Sequence, residues 1–215
     1  MPAWLWIGGM AAAADDPCAD AAAAGAWAAE VRVAYDAGEQ DRAERATGGA
    51  AALARDEERV RQVLALDAKG RLCTAAAKWQ GASLLLQSDD VAVLERAYTL
   101  AQASTAAGEK RGPWLTAFAF DTWRVAGGYR QSYGTQTQVS LAGHRCLVEV
   151  EPSVTDAERQ RFGMPPIAET YRRILDLAGH PDEPATLERL QRFDLVCAPE
   201  AATRKARRTV RPPTP

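Results

Sequence analysis

This sequence predicts a mainly α fold: a single-domain multi-helix bundle with one β-hairpin. Three observations carry that prediction. The chain is rich in alanine, the residue with the best helix propensity. Apolar residues recur at helical spacing through its first 125 positions. The period then changes to strict alternation over a single stretch, near residues 129–151.

The elements follow in order. Residues 19–45 read as a long helix, because Trp27, Val31, Ala34, Tyr35 and Gly38 share one face. The stripe continues into Asp41, Arg42 and Arg45 as it turns polar, and Thr47-Gly48-Gly49 ends it. A second helix covers about 51–66, with Val60, Val63 and Leu64 on its apolar side. Gly70 stops the turn after it. The third helix covers about 72–88; Leu84, Leu85 and Leu86 signal burial on a wide face, while Gln80, Ser83 and Gln87 form a polar one. Asp89 and Asp90 suit the cap of a fourth helix with Val91, Leu94, Tyr98 and Ala101 inside. Pro113 opens a strongly apolar fifth helix to about Val125, and Asp121 falls near the face of Trp114 and Phe118.

Beyond Gly127-Gly128, residues 129–141 and 145–151 alternate and are rich in Thr, Val and Tyr. Leu141-Ala142-Gly143-His144 reads as the hairpin turn between them. Short helices are expected at 155–162, 165–178 and 184–193.

The domain plan is a signal peptide over 1–14, a helical domain over 15–198 and a disordered, basic, Pro-rich tail over 199–215. The first segment is a short apolar run whose Ala12 and Ala14 suit a small-x-small cleavage site before Asp15. It is too short to span a bilayer, so no transmembrane segment is expected. The expected location is therefore periplasmic or extracellular. The tail is read as solvated, with contact to anionic polymers as the alternative. A net charge of -2 gives the whole chain no nucleic-acid signature. A hydrophobic content of 47% excludes intrinsic disorder as the general state.

Cys18, Cys73, Cys146 and Cys197 are widely spaced, with no Cys-x-x-Cys pair and no His at ligand spacing. No zinc or other metal set is expected. An even count in an exported chain suggests two disulfides, of which three pairings are open. Cys18 and Cys197 stand near the two ends, where a tether would limit fraying.

The richest polar block is Gln131-Ser132-Tyr133-Gly134-Thr135-Gln136. On a strand, Gln131, Tyr133 and Thr135 share one face and Gln136 takes the other. That face offers an amide, a phenol and a hydroxyl to a polar ligand. Asp121 ends the helix before it and, half-buried, would make a general acid or base. Gln87 is placed to join from the third helix. The candidate ligand-binding set is Gln87, Asp121, Gln131, Tyr133, Thr135 and Gln136, with Asp121 and Tyr133 as the candidate catalytic pair. The scaffold alternative has Tyr133 in the core, Asp121 paired with Arg124, and the glutamines satisfying backbone. His144 and His180 fall in exposed loops, and Arg159 and Arg161 on a solvated helix face. No phosphate loop, nucleophile elbow or dinucleotide fingerprint is present, so no cofactor is expected.

The run from Asp121 to Gln136 resembles the signature of a bacterial family of unassigned function. That signature has Asp-Arg at a helix end, then Gly-x-x-Gln-x-Tyr-Gly-Thr-Gln, here Gly128 to Gln136. The likeness extends to Leu84–Asp90 upstream and to Asp156–Gly163 with the following Met-Pro-Pro, covering about half of the chain. Ser88 stands where the family has His, and Thr122 where it has Arg. The resemblance implies a location for a site and no reaction. Three functions follow in order: a module binding a polar ligand or partner through the block; an envelope enzyme of hydrolase or transferase type using Asp121 and Tyr133; and a structural or interaction protein with no ligand site. They divide on whether Asp121, Gln131, Tyr133 and Gln136 converge in one open pocket.

Overall fold

The computed structural model describes residues 16–45, 50–140 and 143–199; the expected signal peptide and the tail from residue 200 on lie outside them. The fold is mainly α, a helical bundle with a small sheet. A short 3-10 turn at Pro17–Ala19 leads into α1 (Ala21–Arg45), α2 (Ala50–Ala68), α3 (Ala75–Leu85), α4 (Val91–Ala106) and α5 (Gly112–Ala126). After β1 (Thr137–Val139) and β2 (Arg145–Val148) come α6 (Asp156–Arg161), α7 (Ile167–Leu177), α8 (Leu187–Arg192) and β3 (Val196–Cys197).

Local signals set these boundaries. The hydroxyl of Thr74 accepts from the Ala77 N–H at the start of α3, and the carboxylate of Asp90 accepts from the Ala92 N–H at the start of α4. Thr155 and Glu158 form a reciprocal capping box on α6, which explains how so short a helix holds. α4 packs between α3 and α5, and α1 packs on α2 and α3. The main core gathers Val31, Val63, Leu84, Leu85, Leu100 and Leu115 from these helices. Burying each such side chain contributes about 1.5–3 kcal/mol. A Cβ on Gly112 would meet the Thr105 backbone at 2.8 Å, so only glycine allows α5 to start this close to α4.

The hairpin expectation holds only in part. β1 and β2 pair antiparallel, from Thr137 opposite Leu147 to Val139 opposite Arg145. β2 also pairs parallel with β3, so the element is a three-stranded sheet in the order β1-β2-β3 and not a lone hairpin. Two residues of strand are too few to show a period in sequence. Leu147, Ile174, Leu175, Leu190 and Leu195 form the core under this sheet, where α7 and α8 cover it. In the predicted turn, residues 141 and 142 lie outside the described residues; Gly143 has φ 83° and donates to the Ser140 carbonyl.

The disulfides are Cys18–Cys73 and Cys146–Cys197. The two ends are therefore not tethered to each other. One bond fixes the start of the helical part to the turn before α3, and the other joins β2 to β3. They span 55 and 51 residues, and loop closure of that size contributes roughly 4 kcal/mol each.

A buried ion cluster lies between α1 and α2. Asp41 accepts from Arg55 Nε at 2.9 Å and from the Arg59 guanidinium, which also binds Asp56 at 2.7 Å. Hydrogen bonds from Arg55 and then Arg59 hold the Asp41 carboxyl well below the usual carboxylate range. A group whose folded pKa is depressed stabilises the fold above its unfolded pKa and loses that contribution progressively as the pH falls from there through the folded pKa. Stability should therefore fall with acidification below about pH 4, the ordinary aspartate range. Urea midpoints across pH check this, with Asp41→Asn as control: the variant's profile should be flatter in that window.

Candidate functional site

The block that the sequence singles out is not a strand. It is a tight loop wrapped on a buried carboxylate, and β1 begins only after it. Asp121 sits within α5 with 0% of its surface exposed. Its Oδ1 accepts from the Ser132 N–H at 2.7 Å and the Tyr133 N–H at 3.0 Å. Its Oδ2 accepts from the N–H of Tyr133 and Thr135, both at 3.1 Å, and from the Thr135 hydroxyl at 2.9 Å. The loop thus turns its N–H groups inward onto one side chain instead of offering them to a neighbouring strand. Gly134, at φ 71°, makes the reversal that brings them together.

Gln131 closes the loop. Its amide oxygen accepts from the Gln136 N–H at 2.7 Å, and its amide nitrogen donates to the carbonyls of Gln136 at 2.9 Å and Val148 at 2.7 Å. Its backbone bridges β2's extension, donating to Glu149 and accepting from Glu151. The side chain acts as a surrogate peptide, tying the loop to the sheet. Gln136 donates to the Thr135 hydroxyl at 3.0 Å and toward the Phe118 carbonyl at 3.5 Å.

The far side of the loop meets Arg159, which is 1% exposed. Its guanidinium donates to the Tyr133 carbonyl, to the Pro165 carbonyl at 2.9 Å and to the Thr170 hydroxyl at 3.1 Å. The expectation of a solvated arginine pair is corrected: Arg159 is enclosed and only Arg161 is exposed. The loop is therefore held between an anion that takes the N–H groups of Ser132, Tyr133 and Thr135 and a cation that takes the Tyr133 carbonyl. Sequence reading missed Arg159 because an i, i+2 arginine pair on a polar helix carries no burial signal.

The remaining candidates separate. Asp121 does not pair with Arg124, which instead donates to the Arg130 carbonyl at 2.6 Å. The Tyr133 ring packs against Phe120 and Phe162, at centroid distances of 5.8 and 4.8 Å. Gln87 lies away from the block, in a cleft of about 520 Å³ with Asp56, Glu57, Asp89 and Asp90. His144 is exposed, and His180 stacks on Phe193 at 3.9 Å. Among the described residues no three His, Cys, Asp or Glu side chains are grouped to hold a metal ion.

The electrostatics match the geometry. Burial pushes the Asp121 carboxyl above its ordinary value, while the N–H groups of Tyr133, Ser132 and Thr135 and the Thr135 hydroxyl pull it back. Every contact on it is a donor, so the ionised form is the one the loop is built around. Burial pushes the Tyr133 phenol up to about 12, helped by Tyr98 and Asp121. Both oxygens of the Asp121 carboxylate are engaged by the loop, and the Tyr133 ring is packed among aromatic side chains.

Comparison with protein-family models, with curated proteins and with solved structures finds no match to this chain.

Proposed function

We propose that this chain is an exported binding or interaction protein without catalysis at the Gln131–Gln136 block, and that the block is a latch fastening the sheet to the helical layer. The observation that carries the reading is the enclosed Asp121 carboxylate: its oxygens take the donors of Ser132, Tyr133 and Thr135 and leave no face open to a ligand. Gln131 is likewise 0% exposed and fully engaged. Two disulfides support an oxidising compartment. No described helix is long and apolar enough to cross a membrane.

The test is a thermal-shift survey of saccharides, nucleotides and peptides on the native protein, repeated on Tyr133→Phe and Gln136→Ala. The Tyr133 hydroxyl bonds no described residue, and its ring keeps its packing in Phe. Tyr133→Phe should change stability by less than about 0.5 kcal/mol, and every ligand response should persist in both variants. A response lost in both, with the fold intact, restores the block as a binding face.

A further inference from the structure

The two disulfides stand in opposite surroundings. Cys146 is 0% exposed in the middle of the sheet, where it pairs with Gln138 on β1 and its Sγ lies 3.6 Å from the Gln138 carbonyl oxygen. Opening that bond at its half-buried end, Cys197, would expel a Cys146 thiolate against a carbonyl dipole and away from water. The two ends are also held together without the bond. Leu147 and Glu149 donate to the carbonyls of Leu195 and Cys197, both at 2.9 Å, and Leu195 is buried in the core under the sheet.

Cys18–Cys73 differs on each count. Both of its residues are partly exposed. The charges around it are polarised. Asp16 and Asp20 flank Cys18, and the Gly70 carbonyl oxygen stands closer to Cys18 Sγ, at 3.3 Å, than to Cys73 Sγ, at 3.9 Å. Arg71 lies two residues before Cys73, and the Lys78 ammonium donates to the Cys73 carbonyl at 3.4 Å. Negative charge is therefore opposed at Cys18 and favoured at Cys73. What the bond holds in place is also lightly packed. The turn Pro17–Ala19 buries no residue, and the carboxylates of Asp16 and Asp20 accept from N–H groups of that turn and of the start of α1. The Pro17 ring rests on Gly70, where a Cβ would meet its Cγ at 3.1 Å. α1 then opens with four alanines and Gly25 before Trp27, the first large side chain to pack on the core.

From these differences we infer that Cys18–Cys73 is a redox-sensitive clasp: a dithiol opens it while Cys146–Cys197 stays closed, and its opening frees the chain from Asp16 to Ala26 from the helical body. In the first step a thiolate of the dithiol attacks Cys18 Sγ. A sulfur–sulfur bond forms between them, the Cys18–Cys73 bond breaks, and Cys73 leaves with the electron pair and takes up a proton. The second thiol then attacks the dithiol's own bound sulfur and releases Cys18 as a thiol. The protein gains two electrons and two protons, and the dithiol is oxidised to a disulfide. Departure at Cys73 is the faster direction, because the better-stabilised thiolate leaves faster. With small side chains and a glycine in its first turns, the start of α1 then frays. Trp27, with Arg71 over its ring at 4.7 Å, and Val31 beyond it keep the rest of α1 on the core. The clasp goes beyond the proposed binding role and shares no residue with the latch, so each fails separately.

The experiment treats the disulfide-intact protein with dithiothreitol, blocks free thiols with iodoacetamide at timed intervals and maps them by mass. Cys18 and Cys73 should be labelled about tenfold faster or more than Cys146 and Cys197, the difference between a thiolate released into water beside cations and one expelled into a sealed sheet. Lys78→Glu should slow the opening of Cys18–Cys73 about threefold or more, since it replaces the cation that favours the departing thiolate. Hydrogen exchange on the selectively opened and alkylated protein should show the amides of residues 18–26 unprotected and those of α3 and α4 unchanged. The double variant Cys18→Ser with Cys73→Ser should fold and show the same exchange pattern with no reagent present. The inference is overturned by Cys146–Cys197 opening first or at the same rate, by an unchanged opening rate in Lys78→Glu, by amides of residues 18–26 that stay protected once the bond is open, or by loss of the whole fold in the double variant.

Discussion

Asp121→Asn is expected to lower the stability of the protein by roughly 3–5 kcal/mol, the range for a buried, fully bonded charged group that loses its partners. The substitution changes almost no volume, so packing is not the cause. An amide offers one acceptor oxygen and turns an NH2 group toward N–H donors that the carboxylate satisfied. Asp121 Oδ2 alone accepts from the N–H of Tyr133 and Thr135 and from the Thr135 hydroxyl, and no rotamer of Asn serves both oxygen positions. For a chain of this length the loss corresponds to a fall in melting temperature of about 6–20 °C. Calorimetry reads the size of the effect. Hydrogen exchange reads its place: the amides of Ser132, Tyr133 and Thr135 should exchange rapidly in the variant while those of α3 and α4 stay protected. An Asp121→Asn protein of native stability would overturn the latch reading.

The helical half of the fold was legible because its signals are local. Asp90 and Pro113 stand where helices begin, and Val31, Val63, Leu84, Leu85 and Ala101, each on an apolar face in the sequence, all enter the main core. The loop was misread for a physical reason. Gln131, Tyr133 and Thr135 alternate as strand residues do, but alternation describes side chains, and this loop is shaped by its N–H groups meeting a carboxylate ten or more positions earlier. No pattern within the loop reports that partner. Gly134 was the one local hint, since its positive φ breaks a strand. The Asp41–Arg55–Arg59–Asp56 cluster was hidden in the same way, because a run of charges on two helices reads as a solvated face until the helices are placed together. The strand β3 and the disulfide pairing needed the three-dimensional fold outright, since spacing left three pairings open and the position of Cys18 and Cys197 near the ends suggested a tether that the fold does not make.

Arg159→Lys should destabilise nearly as much as Asp121→Asn, despite keeping the charge. The guanidinium reaches three acceptors in divergent directions: the carbonyls of Tyr133 and Pro165 and the hydroxyl of Thr170. An ammonium on a shorter effective reach cannot serve all of them, and the side chain is 1% exposed, so water cannot fill in. Burial pulls the Arg159 pKa down, and Asp156 and Asp121 push it back. A lysine in the same place would be driven more readily to its neutral form. The expected cost is about 2–4 kcal/mol, from buried carbonyls left without donors. The decisive measurement is the double-mutant cycle with Asp121→Asn. Both charges act on the same Tyr133 segment, one through its N–H and the other through its carbonyl. Releasing the loop from Asp121 should remove part of what Arg159 holds, so the two losses should fall short of additivity by about 1 kcal/mol or more. Strict additivity would show two independent anchors, and the loop would then be fastened twice rather than clamped once between opposite charges.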